Sequence, residues 1–125
     1  MDNKFLTAES VCEGHPDKLC DLIADSVLDA CLWKDRGSRV ACEVMATKGK
    51  IIVAGEITCS GKIDIRMIVR DTLRKVGYNP WKYLIFVYVH KQSRDIANGV
   101  GNALEARSGD TSWYNTLGAG DQGTM

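Results

Sequence analysis

Residues 39–59 constrain the fold more than any other stretch of this chain. Across Arg39 to Lys48, Val40, Cys42 and Val44 alternate with Ala41, Glu43 and Met45. Across Ile51 to Cys59, Ile51, Val53 and Ile57 alternate with Ala54 and Glu56. A period of two belongs to strands with one buried face. Lys48-Gly49-Lys50 between them is turn chemistry, so the stretch predicts a β-hairpin. A helical pattern lies on either side of it. From Pro16 to about Lys34, Leu19, Ile23, Val27 and Cys31 recur every four residues, with Ala24 and Leu28 beside them. From Ile65 to Val76, Ile65, Ile68, Val69, Thr72, Leu73 and Val76 form one stripe. Gly37 is the expected C′ residue of the first helix, while Asp64 caps the second and Gly77 ends it. Asn79-Pro80 turns the chain into Tyr83–Val89, an apolar β-rich run read as a buried strand. Lys4 to Val11 is read as a short first strand. The expected order is β-α-β-β-α-β, an α+β two-layer fold with two helices on one sheet. After it, Lys91 to Leu117 is polar and rich in Gly, Asn and Ser, with a short helical pattern around Ala103 to Arg107; a loop of that length is either disordered or a mobile functional lid.

The chain has 125 residues, enough for one modest domain. Sixteen basic residues balance sixteen acidic ones. That argues against a general nucleic-acid or anionic-membrane binder, which needs a basic surplus. No apolar run approaches the length of a membrane span. The start, Met1-Asp2-Asn3-Lys4, lacks a basic-then-apolar signal pattern. Cysteines at 12, 20, 31, 42 and 59 are odd in number and form no CxxC. They read as buried thiols of a reducing, cytoplasmic setting, not as a disulfide framework or zinc site.

The chemistry concentrates in Glu13-Gly14-His15-Pro16-Asp17-Lys18. His15 can donate a proton to a leaving oxygen near neutral pH. Asp17 offers the carboxylate oxygen that Mg²⁺ prefers, and Lys18 a cation for a polyphosphate. Pro16 suits the first helical position, so the cluster sits at a helix N-terminus, where free N–H groups favour anions. The plainer alternative is a helix start with an exposed His and a capping Asp. Asp21, Asp25 and Asp29 form an acidic stripe read as a solvated face.

The hairpin places a second pair. With Gly49-Lys50 as the loop, Glu43 opposes Glu56. With Lys48-Gly49 as the loop, Glu43 opposes Ala54 and Glu56 lies diagonally adjacent. Both registers put the two carboxylates on one face; a three-residue loop would separate them. They are either two solvated acids or a site for a shared cation or a ligand amine. Gly118-Ala119-Gly120-Asp121-Gln122-Gly123 matches the letters of a dinucleotide fingerprint, but Asn115-Thr116 precede it where a hydrophobic strand is required. It reads as a turn, or as a loop presenting Asp121 to a cation or amine.

Thr7-Ala8-Glu9-Ser10-Val11-Cys12-Glu13-Gly14-His15-Pro16-Asp17-Lys18 resembles the opening signature of S-adenosylmethionine synthases. Arg39-Val40-Ala41-Cys42-Glu43, Gly55-Glu56-Ile57-Thr58, Lys91-Gln92-Ser93 and Gly118–Gly123 are similar to that family's next segments, in order. The resemblance implies a transferase reaction: methionine sulfur attacks C5′ of ATP, and the expelled triphosphate is cleaved to phosphate and diphosphate. It implies Mg²⁺ and K⁺ as cofactors. It implies His15 at the triphosphate near the leaving oxygen, Asp17 on Mg²⁺, Glu43 on K⁺, and Glu56 on the methionine ammonium. Gln92 would open the loop over the site and touch methionine, with Asp121 at the methionine end. Lys18 matches the signature as a further catalytic position.

Where the family loop reads Gln-Ser-Pro-Asp-Ile, this chain has Gln92-Ser93-Arg94-Asp95-Ile96, which frees the backbone at Arg94. The resemblance also implies two more domains of similar plan beyond residue 125. Subunits would meet through sheet faces in a homodimer or homotetramer, with active sites between subunits. On that expectation residues 1–125 are an incomplete N-terminal domain, inactive alone. The rival reading is a catalytically silent module that binds a nucleotide, a cation or a synthase partner.

Overall fold

The computed structural model of the chain describes residues 4–91. Helix α1 spans Pro16–Lys34, strand β1 Arg39–Thr47, strand β2 Lys50–Thr58, helix α2 Ile65–Lys75 and strand β3 Leu84–His90, with a 3₁₀ turn at Pro80–Lys82 before β3. The sheet order is β1-β2-β3. β1 and β2 pair antiparallel through the hairpin, and α2 carries the chain over so that β3 pairs parallel with β2. This is the α+β arrangement that the periodicities predict.

One face of the sheet carries the core. Leu19 and Ile23 of α1, Ile51 and Val53 of β2, and Val69 and Leu73 of α2 are buried together. Cys42, Val44, Ala46, Ile85, Val87 and Val89 extend the packing across the three strands. The four α1 residues that recur every fourth position, Leu19, Ile23, Val27 and Cys31, are its buried stripe. Side chains of this size gain about 1.5–3 kcal/mol each on full burial, which fixes both helices to this face. Thr72 is buried in the layer between the helices, where its hydroxyl donates to Ser26 Oγ at 3.4 Å.

Asp64 caps α2 as expected, accepting from the Met67 N–H at 3.0 Å, and Gly77 turns the chain out with φ +95°. Three expectations are corrected. Lys4 to Val11 forms no strand. Phe5 and Leu6 are 90% and 96% exposed, and Thr7 to Ser10 offer no apolar alternation to bury. Gly37 is not a left-handed C′ residue; α1 ends at Asp35 in extended backbone, and the Gly37 N–H donates to Asp35 Oδ1 at 2.9 Å. β3 is buried on one face only, because both helices lie on the same side of the sheet.

The other face is uncovered among the described residues. Register lays out its rows across β1, β2 and β3: Thr47–Lys50–Leu84, Met45–Ile52–Phe86, Glu43–Ala54–Tyr88 and Ala41–Glu56–His90. Met45, Leu84 and Tyr88 are more than half exposed. The result is an apolar face with two carboxylates toward one end.

Candidate functional site

His15 is itself the N-cap of α1, where the plainer alternative from sequence had a capping Asp. Its Nδ1 accepts the Asp17 N–H at 3.2 Å, and Pro16 takes the first helical position. An accepting Nδ1 carries no proton, so the neutral imidazole has its proton on Nε2. The cap therefore selects the tautomer and leaves Nε2–H as the donor for a ligand. Asp17 stands in the first turn, where the helix dipole favours its negative charge.

The approach to α1 is tied down. The His15 N–H donates to the Cys12 carbonyl at 3.0 Å. The Lys18 ammonium donates to the Val11 carbonyl at 3.2 Å. The Tyr78 hydroxyl, from just beyond α2, donates to the Gly14 carbonyl at 2.8 Å. A Cβ at Gly14 would lie 3.0 Å from that hydroxyl oxygen, a tight contact that Gly avoids. Tyr78 also packs edge-on against Tyr83, with ring centroids 5.9 Å apart. A cavity of about 260 Å³ opens between the start of α1 and the hairpin turn, walled by Gly14, Pro16, Lys48, Tyr78 and Tyr83. Sequence reasoning missed Tyr78 because its partner is 64 residues away, with no local signal.

The hairpin resolves the carboxylate register. Thr47 pairs with Lys50 and Gly49 takes φ +70°, so Lys48-Gly49 is the loop. Glu43 opposes Ala54 and Glu56 opposes Ala41, the diagonal arrangement, with Cα separations of about 7–8 Å for such neighbours. Gly55, just before Glu56, has φ +142°, and a Cβ there would sit 2.1 Å from the Ala41 carbonyl oxygen. The β1 and β2 backbones approach each other closely at that point, one residue before Glu56. His90 flanks Glu56 on the β3 side, a neighbour that sequence alone does not reveal because strand order is unknown.

Asp17, His15 and Lys18 do not meet Glu43 and Glu56 within one copy. The first three belong to the helix layer at the hairpin end of the sheet. The glutamates are on the opposite face, and Glu56 is six residues from the turn, roughly 20 Å along the strand. Gln92 and Asp121 lie outside the described residues, as do Ala103 to Arg107 and all but the first residue of the expected lid. Among the described residues no three His, Cys, Asp or Glu side chains gather as a metal cage. None of their helices is long and apolar enough to cross a membrane. All five cysteines are unpaired.

The family model for the N-terminal domain of S-adenosylmethionine synthetase matches residues 3–98. The chain is 47% identical to the S-adenosylmethionine synthase of Finegoldia magna, over the whole of this chain and 34% of that protein. It is also 47% identical to the enzyme of the same name from Desulforudis audaxviator, over the whole chain and 33% of that protein. The chain thus spans about a third of the length of the curated relatives it matches. By the α+β fold, the helix-capping His15 in its signature, and a family match over three quarters of its residues, the chain belongs to the S-adenosylmethionine synthetase family.

Proposed function

We propose that this chain supplies the N-terminal part of a methionine adenosyltransferase that joins ATP and L-methionine and then cleaves the triphosphate to phosphate and diphosphate. The carrying observation is the capped start of α1: one short turn fixes the His15 tautomer, sets Asp17 in the first turn and anchors Lys18. Displacement at C5′ needs little acid–base chemistry. It needs alignment of sulfur, carbon and leaving oxygen, and charge stabilisation on the triphosphate. His15 Nε2–H meets the second need by donating to the leaving oxygen. N–H groups in the first turn of α1 favour the same anion. Lys18, whose ammonium donates to the Val11 carbonyl, would supply a cation to the triphosphate on exchanging that bond.

Mg²⁺ is commonly held by one or two carboxylates with substrate phosphates and water completing its shell, and the single Asp17 carboxylate fits that manner of binding. Mg²⁺ would supply neutralisation of phosphate charge there. Glu43 would hold K⁺, and Glu56 the methionine ammonium. Gln92 and Asp121 would complete the methionine end.

The separation of the two groups supports a site built between subunits: His15, Asp17 and Lys18 from one copy, Glu43 and Glu56 from another. The face left uncovered among the described residues, with Met45, Ile52 and Phe86, supports packing of a second copy on that side, in a homodimer or homotetramer. Two carboxylates beside such an interface need cationic partners when covered, which K⁺ and an ammonium provide. Unpaired thiols support a reducing, cytoplasmic setting. Steady-state kinetics of Glu43→Gln and Glu56→Gln in the complete enzyme test the reading. Glu43→Gln is expected to change the dependence on K⁺, and Glu56→Gln to weaken methionine use roughly ten- to a hundredfold. Wild-type behaviour of both variants in both series refutes it.

A further inference from the structure

Three of the five cysteines gather where the end of α1 meets the sheet, on the helix-covered side and not on the face that carries Glu43 and Glu56. Cys31 is in the last turn of α1 and fully buried. Cys42 lies on the inward face of β1. Cys59 follows β2 directly and is partly exposed. The Cys59 thiol turns back onto α1, donating to the Cys31 carbonyl at 3.7 Å, and the two thiols are hydrogen-bonding neighbours. The pair is 28 residues apart in sequence, so tertiary structure holds it. The Ser60 N–H donates to Asp35 Oδ2 at 3.0 Å, the Ser38 hydroxyl to the Cys31 carbonyl at 3.2 Å, and the Lys34 ammonium to the Lys62 carbonyl. These bonds stitch the end of α1 to the segment leaving β2.

We propose that Cys31 and Cys59 are an oxidative modification site that closes a disulfide between α1 and the end of β2 when the protein meets a peroxide. Cys59 is the thiol a peroxide reaches, since Cys31 is fully buried. Its sulfur takes one peroxide oxygen, the O–O bond breaks, water leaves, and a sulfenic acid remains. The Cys31 sulfur then attacks that sulfur. The S–S bond forms, the S–O bond breaks, and the oxygen leaves as a second water carrying the Cys31 proton. Each sulfur loses one electron, and both electrons end on the peroxide oxygens. The Gly61 N–H donates to Cys59 Sγ at 3.4 Å and steadies negative charge on it. Burial holds the Cys31 thiol above the ordinary range, with Cys59 adding to it, so the second step draws on position and quickens as pH rises. Cys42 is the competing partner. The Cys59 thiol is turned onto the Cys31 backbone of α1, while Cys42 belongs to the strand layer beneath it.

The test treats the purified protein with dilute hydrogen peroxide, blocks free thiols by alkylation, and maps unreduced peptides by mass. The expected product joins the peptides holding Cys31 and Cys59, is lighter by two hydrogens, and reverts with dithiothreitol. Its melting midpoint rises by several degrees, because the link restricts the unfolded chain. Cys59→Ser, at a partly exposed position, abolishes the product; Cys42→Ser leaves it. A link from Cys31 to Cys42 overturns the proposal. So does Cys59 oxidised beyond the sulfenic acid while Cys31 is recovered as a free thiol after unfolding.

Discussion

Replacing His15 by Asn separates the cap that the imidazole forms from the donor role proposed for it. Nδ1 caps α1 through the Asp17 N–H at 3.2 Å, and the role proposed for Nε2–H is to donate to the leaving oxygen. Asn is among the best N-cap residues and keeps an acceptor near the Nδ1 position, so the cap survives. His15→Ala removes the cap. Cap removal costs about 0.5–2 kcal/mol. The bond here is long and at the surface, which places the cost in the lower half, about 0.5–1 kcal/mol. For a domain of this size that lowers the melting midpoint by roughly 2–8 °C. Either variant loses the Nε2 donor. A hydrogen bond to a charged group is typically worth about 1.5–3 kcal/mol, so turnover of the complete enzyme drops roughly ten- to a hundredfold or more. Thermal melts followed by circular dichroism and steady-state turnover give the two readouts. His15→Ala is expected to lose both stability and turnover, His15→Asn turnover alone. Full turnover in His15→Asn refutes the role of Nε2. A melt as low as that of His15→Ala refutes the cap.

Other residues give independent checks. Gly55→Ala puts a methyl 2.1 Å from the Ala41 carbonyl oxygen at φ +142°, and no rotation relieves it. A loss above about 2 kcal/mol in chemical denaturation is expected, and a near-neutral result would refute the close approach of Gly55 to the Ala41 carbonyl. Asp35 has its carboxyl held below the usual range, first by the Ser60 N–H and then by the Gly37 N–H. A lowered value in the folded state stabilises above the unfolded value near ~3.9 and is lost as pH falls through the lowered value, so Asp35→Asn should erase an acid-side loss of stability in melts between about pH 5 and 2. Cys42, at about 11, should resist iodoacetamide at pH 8 while exposed Cys12 reacts, as timed peptide mapping would show. Phe86→Glu on the uncovered sheet face should weaken self-association in sedimentation while leaving the helical signal intact.

What was legible in the sequence follows from the range of the interactions. The α1 stripe, its span of Pro16–Lys34, the Asp64 cap and the two hairpin strands rest on contacts between residues a few positions apart, and periodicity records those. The register of Glu43 and Glu56 was narrowed to two choices, because a two-residue loop admits only those; Gly49 with positive φ selects one. The Lys4–Val11 strand failed because Phe5 and Leu6 are adjacent, fall on opposite faces of a strand and are both exposed. The one-sided burial of β3 and the Glu56–His90 neighbourhood were hidden for another reason. Both depend on which sheet edge receives β3 and which face receives the helices. His15 as a cap escaped notice because His is not among the preferred capping residues, although its Nδ1 makes the same bond.

The placement of the two groups on opposite faces yields the sharpest test of a site shared between subunits. Suppose each active site takes His15 from one copy and Glu56 from its partner. A dimer of His15→Ala with Glu56→Gln then contains one site that carries both defects and one site that carries neither. Random exchange of equal amounts of the two variants makes half the dimers mixed, and each mixed dimer has one intact site out of two. About one quarter of wild-type activity should therefore return from two variants that are each impaired alone, given a symmetric twofold interface. If His15 and Glu56 of one copy served the same site, no mixed dimer would hold an intact site and no activity would return. The measurement is turnover after co-refolding or co-expression of the variants, with each variant alone and wild type as limits. Recovery near a quarter favours the shared site. Absence of recovery, with mixed dimers demonstrated by a mass tag, refutes it, because roughly 20 Å of strand and the thickness of the sheet would then have to be crossed within a single chain.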